Sequence, residues 1–126
     1  MRAVDTNVLV RLVTRDDEKQ VVSAEAFIER GAWVSHLVLA EMTWVLSAAY
    51  GLRPRDIAMA IDMLLHHQTL AMQDAEVVTA ALDAYRRKPV LGFSDCLVLA
   101  IARKAGHLPL GTFDRNLSRL EKCERL

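Results

Sequence analysis

The stretch Met1-Arg2-Ala3-Val4-Asp5-Thr6-Asn7-Val8-Leu9-Val10 decides how the rest of the chain is read. Residues 2–5 have the character of a short strand. From Thr6 or Asn7 onward, Val8, Leu9, Val10, Leu12 and Val13 switch to a helical pattern. The strand therefore ends on a carboxylate, Asp5, that opens a helix. In open α/β sheets the carboxyl ends of the strands are where ligands bind. A single aspartate there also serves as an ordinary helix cap. Its meaning depends on whether other acids arrive at the same edge.

Moving outward, the first helical stretch breaks at Thr14-Arg15-Asp16-Asp17. A second helix carries Val21, Val22, Ala24, Ala26, Phe27 and Ile28 and stops at Gly31. Ala32-Trp33-Val34 is a strand, and Ser35 an N-cap for a helix from His36 to Tyr50. That helix is apolar almost all round, which predicts burial, with Trp33 and Trp44 as core residues. Pro54 opens a helix reaching about His66. A strand over Thr69–Met72 precedes a helix over Ala75–Arg87, capped by Asp74. Ser94 is the expected N-cap of a helix over Asp95–Lys104 that ends at Gly106. A strand over Leu108–Thr112, a turn at Phe113-Asp114 and a short helix over Arg115–Leu120 complete the pattern. Alternating strands and helices predict one α/β domain over residues 1–126, a parallel sheet covered by helices.

Composition narrows the function classes. Lys+Arg 16 balances Asp+Glu 16, so net charge points to no polyelectrolyte partner, although local clusters still can. Cys96 and Cys123 have no CxxC spacing, which argues against a disulfide scaffold or a cysteine zinc site and for a reduced compartment. The N-terminus has no basic-then-apolar signal region, and no apolar run approaches the roughly 18 residues of a membrane span. A soluble, cytoplasmic protein is expected. No glycine-rich phosphate loop is present, which excludes P-loop and dinucleotide enzymes.

Four acids stand apart from their surroundings. Asp5 closes the first strand, and Glu41 is the only charge between His36 and Arg53. Asp95 is the only charge between Lys88 and Arg103, and Asp114 follows the last strand. Capping explains Asp5, Asp95 or Asp114 one at a time. It does not explain Glu41, about two turns into its helix. Brought to one sheet edge, the four would repel one another, and a divalent cation would remove that cost. Oxygen ligands without a His or Cys cluster favour Mg²⁺ or Mn²⁺. Thr6, Asn7, Ser94 and Thr112 supply neutral hydrogen-bonding groups beside three of the acids. Arg11, Arg15, Arg86, Arg87 and Arg115 are the candidates for holding phosphates, with solvated helix ends as the competing reading.

Asp5-Thr6-Asn7-Val8-Leu9-Val10, Ser35-His36-Leu37-Val38-Leu39-Ala40-Glu41, Phe93-Ser94-Asp95 and Thr112-Phe113-Asp114-Arg115 resemble the acidic motifs of the PIN domain. Their order, and the length of the chain, resemble the VapC toxins of bacterial VapBC toxin–antitoxin modules. The departures are minor: Ser94-Asp95-Cys96 stands where an alanine commonly flanks the family's third acid, and the fourth acid is the family's most variable. The resemblance implies a three-layer α/β/α domain with a small, mostly parallel sheet. It also implies a Mg²⁺- or Mn²⁺-dependent endoribonuclease, a homodimer, and inhibition by an antitoxin whose tail occupies the active-site groove. On the residues themselves, Asp5 and Asp95 are the first choice as metal ligands, with Glu41 and Asp114 completing the ring.

Three alternatives compete. A haloacid-dehalogenase-like phosphatase also starts from a strand-end aspartate, but it needs an acid two residues on, where this chain has Asn7. A receiver domain needs an acidic pair at the first strand. A PIN-like RNA-binding or scaffold module without metal would have lost one or more of the acids, and all four are present. Adjacent His66 and His67 point about 100° apart on a helix and cannot chelate together. Cys96 is better placed for packing than for nucleophilic attack.

Overall fold

A computed structural model describes residues 1–126. In chain order it contains β1 (Arg2–Ala3), α1 (Thr6–Thr14), α2 (Glu18–Ile28), β2 (Ala32–Val34), α3 (His36–Ala48), α4 (Pro54–Leu65), β3 (Leu70–Met72), α5 (Ala75–Arg87), α6 (Phe93–Ala105), β4 (Leu110–Thr112), a 3₁₀ turn (Leu117–Arg119) and β5 (Cys123–Arg125). Six helices surround a small parallel sheet in an α/β/α arrangement.

The sheet has the order β1-β2-β3, with Arg2 opposite Ala32 and Ala32 opposite Leu70. The Val4 amide donates to the Trp33 carbonyl at 3.1 Å and carries the pairing up to the residue before Asp5. β4 pairs only with β5, again in parallel, as a separate two-stranded sheet. This corrects the expectation that the strands before Asp5 and Asp114 share one sheet. β5 had no strand signal, because Cys123-Glu124-Arg125 neither alternates nor carries β-branched residues. The expected last helix shortens to one 3₁₀ turn.

Strands this short contribute little, so the fold rests on helix packing around one core cluster of 28 buried residues. In α4 the buried positions Ile57, Ala58, Ile61 and Leu64 recur at helical spacing. In α5 they are Val77, Val78, Ala81, Leu82 and Tyr85. α5 lies along α6, where the Tyr85 and Phe93 rings meet edge to face at 5.9 Å. α1 packs on α3, and α3 on α6. Cys96 is buried as expected, and burial pushes its thiol up to about 11, so it packs as a neutral thiol. Gly106, at φ +84°, ends α6 in the left-handed conformation that glycine tolerates best.

Some caps fall where expected and others do not. Ser35 accepts from the Val38 amide at 3.1 Å, which starts α3. Asp74 was expected to cap α5, but it makes no side-chain cap bond. Its carboxylate takes the Lys104 ammonium at 2.7 Å instead, which holds it below the usual carboxylate range. α6 begins at Phe93 with Gly92 as N-cap, so Ser94 lies inside the first turn and is not the cap.

The largest correction concerns α3. It is not buried all round: Leu37 is 69% and Trp44 70% exposed, and Glu41 is exposed between them. Leu39, Met42, Thr43 and Leu46 form its buried side. Trp33 is also partly exposed rather than core. No helix is long and apolar enough to cross a membrane.

Candidate active site

Asp5 occupies the turn between β1 and α1 in extended backbone, and its carboxylate accepts the Thr6 amide at 2.7 Å. The capping reading of Asp5 is therefore correct as far as it goes. The neighbouring Thr6 is buried, and its hydroxyl donates to Glu41 Oε2 at 3.4 Å. A residue of α1 thus contacts the carboxylate of α3 through a long hydrogen bond, and Thr6 links Asp5 to Glu41. Glu41 lies on the exposed stripe of α3, one turn from both Leu37 and Trp44.

The other two acids form a second group. Asp95 is the third residue of α6 and half-buried. Burial raises its carboxyl above the usual range, the like charge of Asp114 raises it further, and a backbone hydrogen bond at Gly92 opposes both. Asp114 follows β4. The Thr112 hydroxyl accepts its amide at 3.0 Å, and its carboxylate accepts the Leu117 amide at 2.8 Å. Asp114 therefore caps the 3₁₀ turn while its charge is felt at Asp95.

α3, which carries Glu41, packs against α1, which Asp5 caps, and against α6, which carries Asp95. The four carboxylates accordingly divide into Asp5 with Glu41 and Asp95 with Asp114. No three His, Cys, Asp or Glu side chains stand close enough to form a protein-only metal cage. The donors are hard oxygens, and Mg²⁺ ordinarily takes one or two carboxylates and keeps several waters. The repulsion between Asp95 and Asp114 is the feature a cation would relieve. The residues fit such an ion by donor chemistry, with water completing the shell.

The neutral candidates separate. Thr6 and Thr112 contact or orient acids. Ser94 lines a surface depression with Trp44. Asn7 lines a different cavity, between α1 and α2, and does not join the acids there.

The arginine candidates separate as well. Arg11 is engaged by Asp16 at 3.1 Å, by the Tyr50 hydroxyl at 2.9 Å and by Gln20, so it ties α1 to the chain that follows instead of offering a free charge. Arg15 pairs with Glu25 at 3.4 Å. Arg86 lines a cavity, and Arg87 and Arg115 are exposed. His66 bonds to Asp62 and His67 to Thr69, which bears out their separate, helix-end roles.

Two kinds of residue escaped the sequence reading. Arg53 and Arg55 join Arg86 around one cavity, and Trp44 stands exposed beside Glu41. The signal for Trp44 was present: Leu37, Glu41 and Trp44 share one helical stripe, and a stripe that holds a charge faces water. Nothing local marked Arg53 and Arg55, because their neighbour Arg86 comes from another helix.

The family model described as PIN domain matches residues 2–122, nearly the whole chain. Curated proteins and solved structures give no match. PIN domains are generally metal-dependent nucleases, hydrolases that act on nucleic acids. Because the family model spans residues 2–122, the chain belongs to the PIN domain family.

Proposed function

We propose that this protein is a Mg²⁺- or Mn²⁺-dependent endoribonuclease, and that it is the toxin of a VapBC-like toxin–antitoxin pair. The observations that support the reading are the two acid pairs, Asp5 with Glu41 linked through Thr6 and Asp95 with the like charge of Asp114, carried by elements that pack on either side of α3. Asp5 and Asp95 would hold the metal first, with Glu41 and Asp114 binding directly or through water. A divalent cation bound there supplies an activated water and a counter-charge for the scissile phosphate.

The chain's own residues do the rest. Thr6 fixes the Glu41 carboxylate by its hydroxyl. Thr112 fixes the backbone of Asp114, and Asp114 in turn fixes the turn at Leu117. The half-buried setting of Asp95 limits the water around its carboxylate. An antitoxin that occupies the mouth would block the substrate, and a second copy would form the expected homodimer. Leu37, Met59 and Met63 are exposed apolar side chains of the kind that partners cover.

The test is cleavage of total RNA in Mg²⁺ with the product ends mapped, wild type against Asp5→Asn, with and without a chelator. Discrete cuts that vanish in the variant and in chelator support the reading. Cuts that persist in Asp5→Asn near the wild-type rate sink it. Absence of cleavage with retained RNA binding favours the scaffold alternative.

A further inference from the structure

Two neighbouring depressions lie beside α3 and the start of α6. One, about 480 Å³, lies between the start of α4 and the end of α5 and is lined by Arg53, Arg55 and Arg86. The other, about 240 Å³, runs from Trp44 on α3 past Val90 to Ser94, the residue before Asp95. Pro54, Tyr85 and Pro89 line both, so the two depressions are neighbours, and together they make a channel-like track from the start of α6 to the three arginines.

The charges in this channel are uncompensated. Arg55 and Arg86 make no salt bridge, and Arg53 has only a 3.9 Å approach to Asp56 on its own helix. By contrast, Arg11, Arg15 and Lys104 all have acidic partners. At the end nearer the acids, Trp44 presents most of its ring to solvent, one helical turn from Glu41. Cations along a groove with an exposed aromatic ring are the means by which proteins hold single strands: phosphates meet the cations and bases stack on the ring. A duplex hides its base faces, and the Asp and Glu side chains of an acidic peptide would use the arginines but offer no ring to Trp44, whereas every nucleotide carries both a phosphate and a ring.

We propose that this channel seats a single-stranded RNA segment next to the cleaved linkage. Trp44 stacks a base, and Arg53, Arg55 and Arg86 hold phosphates farther along the strand. The proposal deepens the ribonuclease reading and rests on it for the identity of the ligand.

The experiment is fluorescence anisotropy of a labelled RNA of about 12 nucleotides, within the site size of single-strand binders. The full chain is used in chelator, so that metal-dependent cleavage does not interfere. Trp44→Ala is expected to weaken binding about tenfold with little change in salt dependence, and Trp44→Phe to restore most of it. Arg55→Ala with Arg86→Ala is expected to lower the slope of log affinity against log salt by about 1.4, two phosphates at about 0.7 each for a single strand. Arg30→Ala, an exposed arginine outside the channel, serves as the control. Unchanged circular dichroism shows that each variant is folded, and Arg86→Lys keeps the charge should Arg86→Ala not fold.

Wild-type affinity and slope in all channel variants overturn the proposal. So does a glutamate-rich peptide that loses binding in the arginine variants while RNA binding stays unchanged, since the channel would then be a protein-docking site. Channel-dependent binding without cleavage by the wild type removes the nuclease reading and keeps the channel. Cleavage with channel-independent binding does the reverse.

Discussion

On the α1–α3 side of the mouth the acids are exposed and already bonded: Asp5 accepts the Thr6 amide, and Glu41 accepts the Thr6 hydroxyl. On the α6–β4 side Asp95 is half-buried and faces the like charge of Asp114. Both sides have hydrogen-bond donors in place, but only one sets a half-buried acid against a like charge, an unfavourable interaction that a cation would relieve. The difference teaches that local hydrogen bonds can satisfy a carboxylate as a cap without removing it from a site, whereas burial against another acid marks a position the fold alone does not explain.

The largest expected effect comes from replacing an acid on either side. Asp95→Asn should reduce Mg²⁺-dependent RNA cleavage about a thousandfold or more, since metal-assisted charge stabilisation is worth several kcal/mol. In chelator the same variant should melt about 2–5 °C higher, because the half-buried charge facing Asp114 is gone. Asp5→Asn should lose cleavage comparably without that gain, since Asp5 is exposed. Equal melting shifts in the two variants would erase the distinction between the sides.

Next in size is Thr6→Val, which keeps the buried volume and removes the hydroxyl that holds Glu41. Cleavage should fall about 10–100-fold, the usual cost of losing a group that orients a ligand. RNA affinity in chelator should not change, and Thr6→Ser should recover most of the activity. A loss confined to RNA affinity would place Thr6 in binding rather than in holding Glu41.

Asp114 sharpens the comparison further, because it is both a cap and a charge. Asp114→Asn retains an acceptor for the Leu117 amide, so its stability should stay near wild type while cleavage drops. Asp114→Ala should lose about 1 kcal/mol more in denaturant unfolding, the worth of a cap.

Much of this was legible from residue pattern alone. Asp5 at a strand end, Glu41 alone in an apolar helix and Asp95 alone in an apolar run were visible because charge in apolar surroundings needs a reason. The order of helices was visible because Gly31, Pro54 and Gly106 punctuate it. What could not be read depended on contacts between distant segments. β4 and β1 belong to different sheets, a matter of pairing that strands of two and three residues do not encode. Arg11 looked free and is latched by Tyr50, 39 residues away. The exposure of Trp44 is masked by the apolar composition of α3, although the stripe bearing Glu41 opens to solvent.

The smallest effect concerns that latch, which lies outside the acidic mouth. The Tyr50 hydroxyl donates to Asp16 Oδ2 at 2.8 Å. Hydrogen bonds from Thr14 first and Tyr50 second hold the Asp16 carboxyl below its usual range. A lowered folded value means that this contribution is present above the ordinary carboxylate range and is lost as pH falls through the folded value. Tyr50→Phe should therefore melt slightly lower than wild type at pH 7, and the difference should shrink as pH falls below about 4. A gap that stays constant with pH would assign the effect to packing alone.

Whether the two sides form one catalytic centre is tested most directly by RNA cleavage rates in Mg²⁺ for Asp5→Asn, Asp95→Asn and the double variant. Groups that act as a unit are strongly non-additive. Each single substitution is expected to bring cleavage close to background, and the double variant to fall no further. Cleavage near the wild-type rate in either single variant, or two partial losses that multiply in the double, would contradict a single metal-dependent centre built from both sides.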